Sequence, residues 1–297
     1  MQNVKQPLRM ISYNVKDGFT KRDAQKNTID DKKRRVAVTE WLREQAPDIV
    51  AFQELNDYTE ERLKREAAAW GHTHVALLKS KGYPTGLTSR FPISKVQRVV
   101  GNGLWHGFLK CETAGIVFYV THQAPFHWET RLHEATTVLQ GLPANESEKK
   151  VVGALAEIEK GRPVMIVGDL NAFSPLDRQY YENIRLKETL SRENRNMRET
   201  SLAPDGDFDY SVVAKFTDAG LVDLVRQKNR NVADITSYPT LLVQQELTPA
   251  QAERQRFRID YAMVSVDLAE HCVKATVIKE AEMDMMSDHY PMLIEFE

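Results

Sequence analysis

The sequence predicts an α/β protein, and three observations point there. Short apolar runs alternate along the chain with amphipathic stretches, as strands and helices do when they pack in layers. Hydrophobic residues make up 42% and charged residues 28% of the 297, the balance of a globular chain rather than a disordered or fibrous one. No apolar run approaches the roughly 20 residues that a membrane-spanning helix needs, so no transmembrane segment is expected.

The elements follow in order. LRMISYN (8–14) reads as a strand. The polar stretch 16–34 reads as a loop leading into a helix that puts Val38, Trp41, Leu42 and Gln45 on one face and stops at Pro47. DIVAFQE (48–54) has the unbroken apolar run of a buried strand. Residues 57–70 read as a helix with Leu63, Ala67 and Trp70 in line and Gly71 as its stop. HVALLKS, GLTSRF, ISKVQRVV, LWHGFLKCE and IVFYVTH then follow at short spacing as strands. Two helices come next, one aligning Leu132, Ala135, Leu139 and Leu142, the other (147–159) aligning Val152, Leu155 and Ile158. PVMIVGD (163–169) is a buried-type strand, and 174–215, with its Asn and Arg clusters and APDGD turn, is the least regular part. FRIDYAMVS (257–265), a strand near 272–279 and HYPMLIEF (289–296) close the chain. No Pro/Gly/Ser-rich linker divides it, so one domain over 1–297 is expected, acting as a monomer.

Charge and cysteine content narrow the partners only a little. With 40 basic and 42 acidic side chains the net charge is −2, which disfavours non-specific coating of nucleic acid and leaves room for a local basic groove. Cys111 and Cys272 lie in apolar stretches and are expected as buried thiols. The opening MQNVKQPLRM has no apolar signal core, so the expected setting is the cytoplasm, or export with a signal peptide already removed.

The informative feature is where polar residues interrupt apolar strands. Asn14 and Glu54 end the first two strands, Thr121-His122 ends IVFYVTH, and Asp169 and Asn171 follow PVMIV. Asp260 sits inside FRIDYAMV, and Asp288-His289 opens the last strand. A turn, a cap or an edge charge would explain any one of these. Six such placements suit ligands gathered on one rim of a sheet. Carboxylates and amides are hard oxygen donors, without a Cys/His cluster beside them, which favours Mg²⁺ or Mn²⁺ over Zn²⁺. A hard cation with His and Asp nearby is equipment for hydrolysing phosphate esters.

S-Y-N-V (12–15), F-Q-E (52–54), T-H (121–122), G-D-L-N (168–171), R-I-D-Y (258–261) and S-D-H (287–289), in this order, resemble the endonuclease/exonuclease/phosphatase superfamily, and G-L-T-S-R-F-P-I (86–93) is similar to a further strand and turn of it. The matches run from residue 8 to 296. The resemblance implies a four-layer α/β sandwich, two mixed sheets face to face with helices outside. It implies a Mg²⁺- or Mn²⁺-dependent hydrolase of phosphate diesters or monoesters. Glu54 matches the main metal-binding glutamate, Asn14 an asparagine supporting the metal or phosphate, and Asp288 a residue helping to hold the metal. Asp169 matches the aspartate that aligns or deprotonates water, Asn171 an amide donating to phosphate, and His289 the active-site histidine with Asp260 as its partner. Which of Asp169 and His289 is the base stays open. His122 matches the second histidine of deoxyribonuclease- and sphingomyelinase-like members.

Other residues are weighed more lightly. Arg258, His127 and Trp128 are candidates for substrate contact. Asp17 could approach the metal. His72, His74, His106 and His271 read as strand or surface residues and His133 as a helix-surface residue. The runs KKRR (32–35) and RQRFR (254–258) read as solvated faces, and Arg192, Arg195 and Arg198 fall in the irregular insert. The substrate could be a small molecule, a lipid headgroup or a nucleic acid. A DNA- or RNA-cleaving enzyme is the alternative within this chemistry, and a non-catalytic binding module the remote one.

Overall fold

Strand β1 (Leu8–Asn14) runs through the middle of the first sheet, and its neighbours are set by how the chain returns to it. The computed structural model describes residues 7–144, 150–193, 202–203 and 206–297. After β1, β2 (Thr20–Arg22) and β3 (Thr28–Asp30) form a small ribbon of their own. The helix Lys32–Gln45 then carries the chain back, so that β4 (Ile49–Gln53) lies parallel to β1. Parallel neighbours need such a crossover. The helix buries Val38, Trp41 and Leu42 and ends at Ala46, which is left-handed, just ahead of Pro47.

The remaining strands are β5 (His74–Leu77), β6 (Gly86–Ser89), β7 (Ser94–Val99), β8 (Phe108–Thr113), β9 (Ile116–His122), β10 (Gly141–Leu142), β11 (Val151–Val152), β12 (Val164–Asp169), β13 (Val222–Asp223), β14 (Asp260–Val264), β15 (Cys272–Val277) and β16 (Met292–Phe296). One six-stranded sheet has the order β15-β16-β1-β4-β6-β5, the other β13-β14-β12-β9-β8-β7. Both are mixed: β1–β4 and β9–β12 are parallel, β1–β16 and β12–β14 antiparallel. The sheets face each other and helices cover them, giving a four-layer α/β sandwich.

Strand alternation builds two apolar layers from the second sheet. Phe118, Val120, Met165, Val167, Ala262 and Val264 point inward and join Met10, Ile49 and Ala51 between the sheets, while Tyr13 and Phe52 point the other way onto Trp41 and Trp70. Val117, Tyr119, Val164, Ile166, Tyr261 and Met263 point outward and pack on Ala135, Val138, Leu139, Val212 and Phe216. Both faces are covered, so these strands read as unbroken apolar runs. Truncating one such side chain to alanine costs about 2–5 kcal/mol. Cys111 and Cys272 are free and buried, and burial pushes the Cys111 thiol up to about 12.

Strand direction creates a common rim. The carboxyl ends of β1, β4, β9 and β12 point the same way, and their antiparallel neighbours β14 and β16 begin there. Gly168 makes the last rung of β12 possible. Its φ is 136°, and a Cβ there would stand 2.0 Å from the Thr121 carbonyl oxygen.

Several expectations need correcting. In 147–159 only Ala154–Ile158 is helical, while Val152 pairs with Gly141 in β11 and residues 145–149 lie outside the described residues. The stretch 174–215 is more regular than its polarity suggests. It holds helices Arg178–Asn183, Leu186–Glu193 and Ser211–Asp218, and Tyr181, Leu186 and Phe208 bury against Phe173, Phe257 and Ile259. Arg195 and Arg198, and part of the APDGD turn, lie outside the described residues. The basic runs are only partly solvated: Arg34 is buried and donates to the Met286 carbonyl at 2.8 Å.

Candidate active site

Asp169 sits at the centre of a rung that spans three strands. Its register partners are His122 on β9 and Asp260 on β14. The other sheet brings Asn14 opposite Gln53, with Glu54 one residue further on. Asn14 joins the two sheets: its Nδ2 donates to Glu54 Oε1 and to Asp169 Oδ2, each at 3.1 Å. An amide suits this position because it can donate to two carboxylates without adding charge.

His289 enters from the turn before β16. Its Nδ1 donates to Asp260 Oδ2 at 2.8 Å, and its Nε2 lies 3.7 Å from Asp169 Oδ2. The Ser237 hydroxyl accepts from the Asp260 backbone N–H, and the Tyr238 ring lies 4.9 Å from the imidazole. Burial opposes a charge on His289, but the carboxylates of Asp260 and Asp169 outweigh it and push its pKa up to about 10. Asp169 itself is pushed up, by burial and then by Asp260. Burial drives His122 well below the ordinary histidine value, with His106 and His289 adding to the effect. At neutral pH one histidine of the site is therefore charged and the other neutral.

The loop after β1 wraps Glu54. Lys16, Asp17, Gly18 and Phe19 are all left-handed, with φ between 52° and 61°. That turn aims the Asp17 N–H at Glu54 Oε2 (2.8 Å) and the Gly18 N–H at the Glu54 carbonyl (2.6 Å). Gly18 is required here, since a Cβ would stand 2.2 Å from the Asn56 carbonyl oxygen. The Lys16 ammonium pairs with Asp288 at 3.0 Å. Burial would lift Asp288, but the His289 imidazolium and Lys16 hold it below the usual carboxylate range. Glu54 is raised, chiefly by burial and then by Asp288. Beside this turn opens a cavity of about 400 Å³, with Lys16, Asp17, Arg34, Tyr83 and Leu242 on its wall.

The donor set fits a hard divalent cation. Asp169, Asp260 and His289 each offer a ligand atom, all within 4.8 Å of one another, and Glu54 and Asp288 stand beside them. The set is rich in carboxylate oxygen, and both cysteines are in the apolar core instead.

Asn171, left-handed at φ 48°, donates its N–H to Asp169 Oδ1 (2.8 Å) and its Nδ2 to the Gln123 carbonyl (2.9 Å). His127 is exposed on the rim, 6.5 Å from the Trp105 ring, and Trp128 is half-buried in the first turn of the helix Trp128–Gln140. Arg258 is not available to substrate. It is wholly buried, its guanidinium clamped by Asp177 (2.6 Å) and Asp223 (2.7 Å), so it braces the fold under the rim. Asp17 meets Glu54 through its backbone, not its carboxylate.

Sequence reasoning missed Lys16 and His106. The His106 ring stacks on His122 at 4.5 Å, with 22° between planes. No motif marks it, and only its position just before an apolar strand, level with the end of β9, could have suggested it. His72 is also buried, between the Thr88 hydroxyl and the Pro47 carbonyl.

The model of the Endonuclease/Exonuclease/phosphatase family matches residues 11–289. A search of the curated proteins finds no match to this chain. Among solved structures, an AP endonuclease from Archaeoglobus fulgidus superposes with TM-score 0.63 at 19% identity, covering 98% of this chain and 99% of that one. A 3′ phosphatase from Neisseria bound to a product DNA hairpin gives 0.66 at 16%, with the same coverage. An endonuclease/exonuclease/phosphatase from Beutenbergia cavernae gives 0.58 at 17%, covering 99% of this chain and 72% of that one. At these identities the structural likeness speaks to the fold alone.

Proposed function

Because this chain belongs to the Endonuclease/Exonuclease/phosphatase family of metal-dependent phosphoester hydrolases, we propose that its rim of carboxylates and histidines directs water at the phosphorus of a phosphate ester. The observation that carries this is the rung His122–Asp169–Asp260, capped by Asn14 from the opposite sheet and by His289.

Glu54, Asn14 and Asp288 would hold Mg²⁺ or Mn²⁺, which when bound supplies positive charge against the phosphoryl oxygens. Asp169 orients the attacking water and takes up its proton. Asp169 is assigned the base role of the two candidates because it lies at the centre of the rung, whereas the Nδ1 of His289 is engaged by Asp260. His289, as the imidazolium, neutralises charge developing on the phosphoryl oxygens and can give a proton to the leaving oxygen as its bond to phosphorus breaks. His122, neutral, and Asn171 stand on the same rim as donors to a phosphoryl or leaving oxygen. The left-handed turn 16–19 holds the Glu54 carboxylate in place before substrate arrives, which lowers the reorganisation the reaction needs.

The substrate is a phosphate ester, of a small molecule, a lipid headgroup or a nucleic acid. A panel tests the reading: bis-p-nitrophenyl phosphate, p-nitrophenyl phosphate, plasmid DNA, sphingomyelin and inositol phosphates, each with Mg²⁺, Mn²⁺ or EDTA. Hydrolysis of at least one ester that EDTA abolishes is expected. No hydrolysis of any ester under any condition overturns it.

A further inference from the structure

We propose that an exposed strip of aromatic rings beside His122 is a subsite for a nucleobase-type planar ring carried by the scissile phosphate ester. The proposal rests on the phosphoesterase reading above and narrows its substrate. The strip starts inside the site, where His106 stacks on His122 at 4.5 Å. It continues outward from His106 to Trp105 (6.3 Å), and from Trp105 to Phe126 (6.3 Å) and His127 (6.5 Å). Tyr83 closes the inner end, 5.3 Å from His106 and 6.4 Å from His122. Trp105, Phe126 and Tyr83 are 47%, 45% and 41% exposed, whereas Trp41 and Trp70 are buried. Rings of this size that stay in water, in contact with one another and continuous with a reaction centre, offer π faces to a ligand.

The strip is also held still. Trp105, His106, Phe126 and His127 come from two loops, 101–107 and 123–127, and one side chain ties both. Glu134, buried in the helix Trp128–Gln140, accepts the Trp105 N–H (2.8 Å) on one oxygen and the Ala124 N–H (2.7 Å) on the other. Lys79 adds a bond to the His106 carbonyl at 2.7 Å, and His133 bonds the Asn102 carbonyl at 2.8 Å. Burying a carboxylate carries a desolvation cost, which here goes to fixing loops rather than filling core. A preformed stacking surface spares the ligand that ordering cost.

Chemistry selects the occupant. Every nucleobase has a π face, and base–aromatic stacking is tolerant of sequence. Two ring-to-ring steps separate His122 from Trp105, which suits a ring joined to the phosphate through a sugar. A hydrocarbon tail fits less well, because the polar imidazoles of His106 and His127 lie within the strip.

The test compares two ligands that share a sugar phosphate and differ in the ring, adenosine 5′-monophosphate and ribose 5-phosphate. Binding is measured by calorimetry with Mg²⁺ present, on wild type, Trp105→Ala, Phe126→Ala and Glu134→Gln. The wild type is expected to bind the nucleotide at least tenfold more tightly than the sugar phosphate. In Trp105→Ala that ratio should fall below threefold, and in Glu134→Gln it should fall part of the way with the far-ultraviolet circular dichroism unchanged. A wild-type ratio near one, or one that survives both ring deletions, overturns the subsite. So does Trp105-dependent binding to phosphatidylcholine/phosphatidylserine vesicles without nucleotide selectivity, which would make the strip a membrane contact. Hydrolysis of bis-p-nitrophenyl phosphate by the same wild-type sample separates the two readings. Hydrolysis without ring selectivity removes the subsite alone, and ring selectivity without hydrolysis of any ester removes the phosphoesterase reading alone.

Discussion

Asn14 donates to Asp169 across the sandwich, from the end of β1 in one sheet to the end of β12 in the other, at 3.1 Å. The same amide holds Glu54. The residue proposed to hold the metal and the residue proposed to direct water are therefore positioned by a single uncharged group.

Asn14→Ala should lower kcat by about 10²–10³-fold, the usual loss when one preorganised donor is removed from a reaction centre. The melting temperature should stay within a few degrees of wild type, because the rung register of both sheets is untouched. Steady-state kinetics beside thermal unfolding checks this. A variant that keeps wild-type kcat would show that the bridge is structural only.

The Asp260–His289 pair makes a sharper demand. Asp260→Asn keeps the shape of the contact but removes the charge that keeps the imidazole protonated. Turnover should fall by about 10³–10⁴-fold, as in other carboxylate–histidine pairs. In His289→Gln, a second substitution at Asp260 should then add little, since the two act as a unit. Multiplicative losses in the double variant would refute the pairing.

Acid should weaken the fold through His72. Its ring is fully buried, accepting from the Thr88 hydroxyl and donating to the Pro47 carbonyl, and burial pushes its pKa down to about 4. For a base whose folded pKa is depressed, the stabilising contribution is complete above the unfolded value of about 6.5 and is lost as pH falls towards 4. The loss is at most roughly 3 kcal/mol at 1.36 kcal/mol per pH unit. Urea unfolding at pH 7, 5.5 and 4.5 should show a steeper decline in wild type than in His72→Gln. Parallel declines would exclude this residue.

Arg258→Met should destabilise without touching the chemistry. It strips buried Asp223 of its guanidinium partner and leaves Asp177 with Arg226 alone, at a cost of about 3–5 kcal/mol. Below its unfolding temperature the variant should keep kcat within about threefold of wild type. Loss of turnover in a fully folded sample would restore a substrate role for Arg258.

Much of the rim is legible in the sequence because each polar residue interrupts an apolar strand at its end, as Asn14, Glu54, His122 and Asp169 do. Strand ends become a shared rim only through pairing direction, which local pattern does not encode but the ordered motifs do. His106 and Glu134 were invisible for the opposite reason. His106 precedes its strand in a glycine-flanked loop, and Glu134 looks like any polar helix residue until the two loops above it are folded onto it. Arg258 was misread because a basic residue before RIDY has the same local signature whether it faces substrate or two buried aspartates. The helices of 178–193 escaped because their apolar partners come from three separate segments, Phe173 just before them, Phe208 after them and Phe257 far along the chain.

The most direct test of the central claim is metal-dependent hydrolysis of bis-p-nitrophenyl phosphate by wild type and Asp169→Asn. Wild type should release p-nitrophenol with Mg²⁺ or Mn²⁺ and stop on addition of EDTA, while Asp169→Asn, folded and as stable as wild type, should fall by at least about 10³-fold. Turnover indifferent to EDTA, or an Asp169→Asn variant as active as wild type, would contradict it.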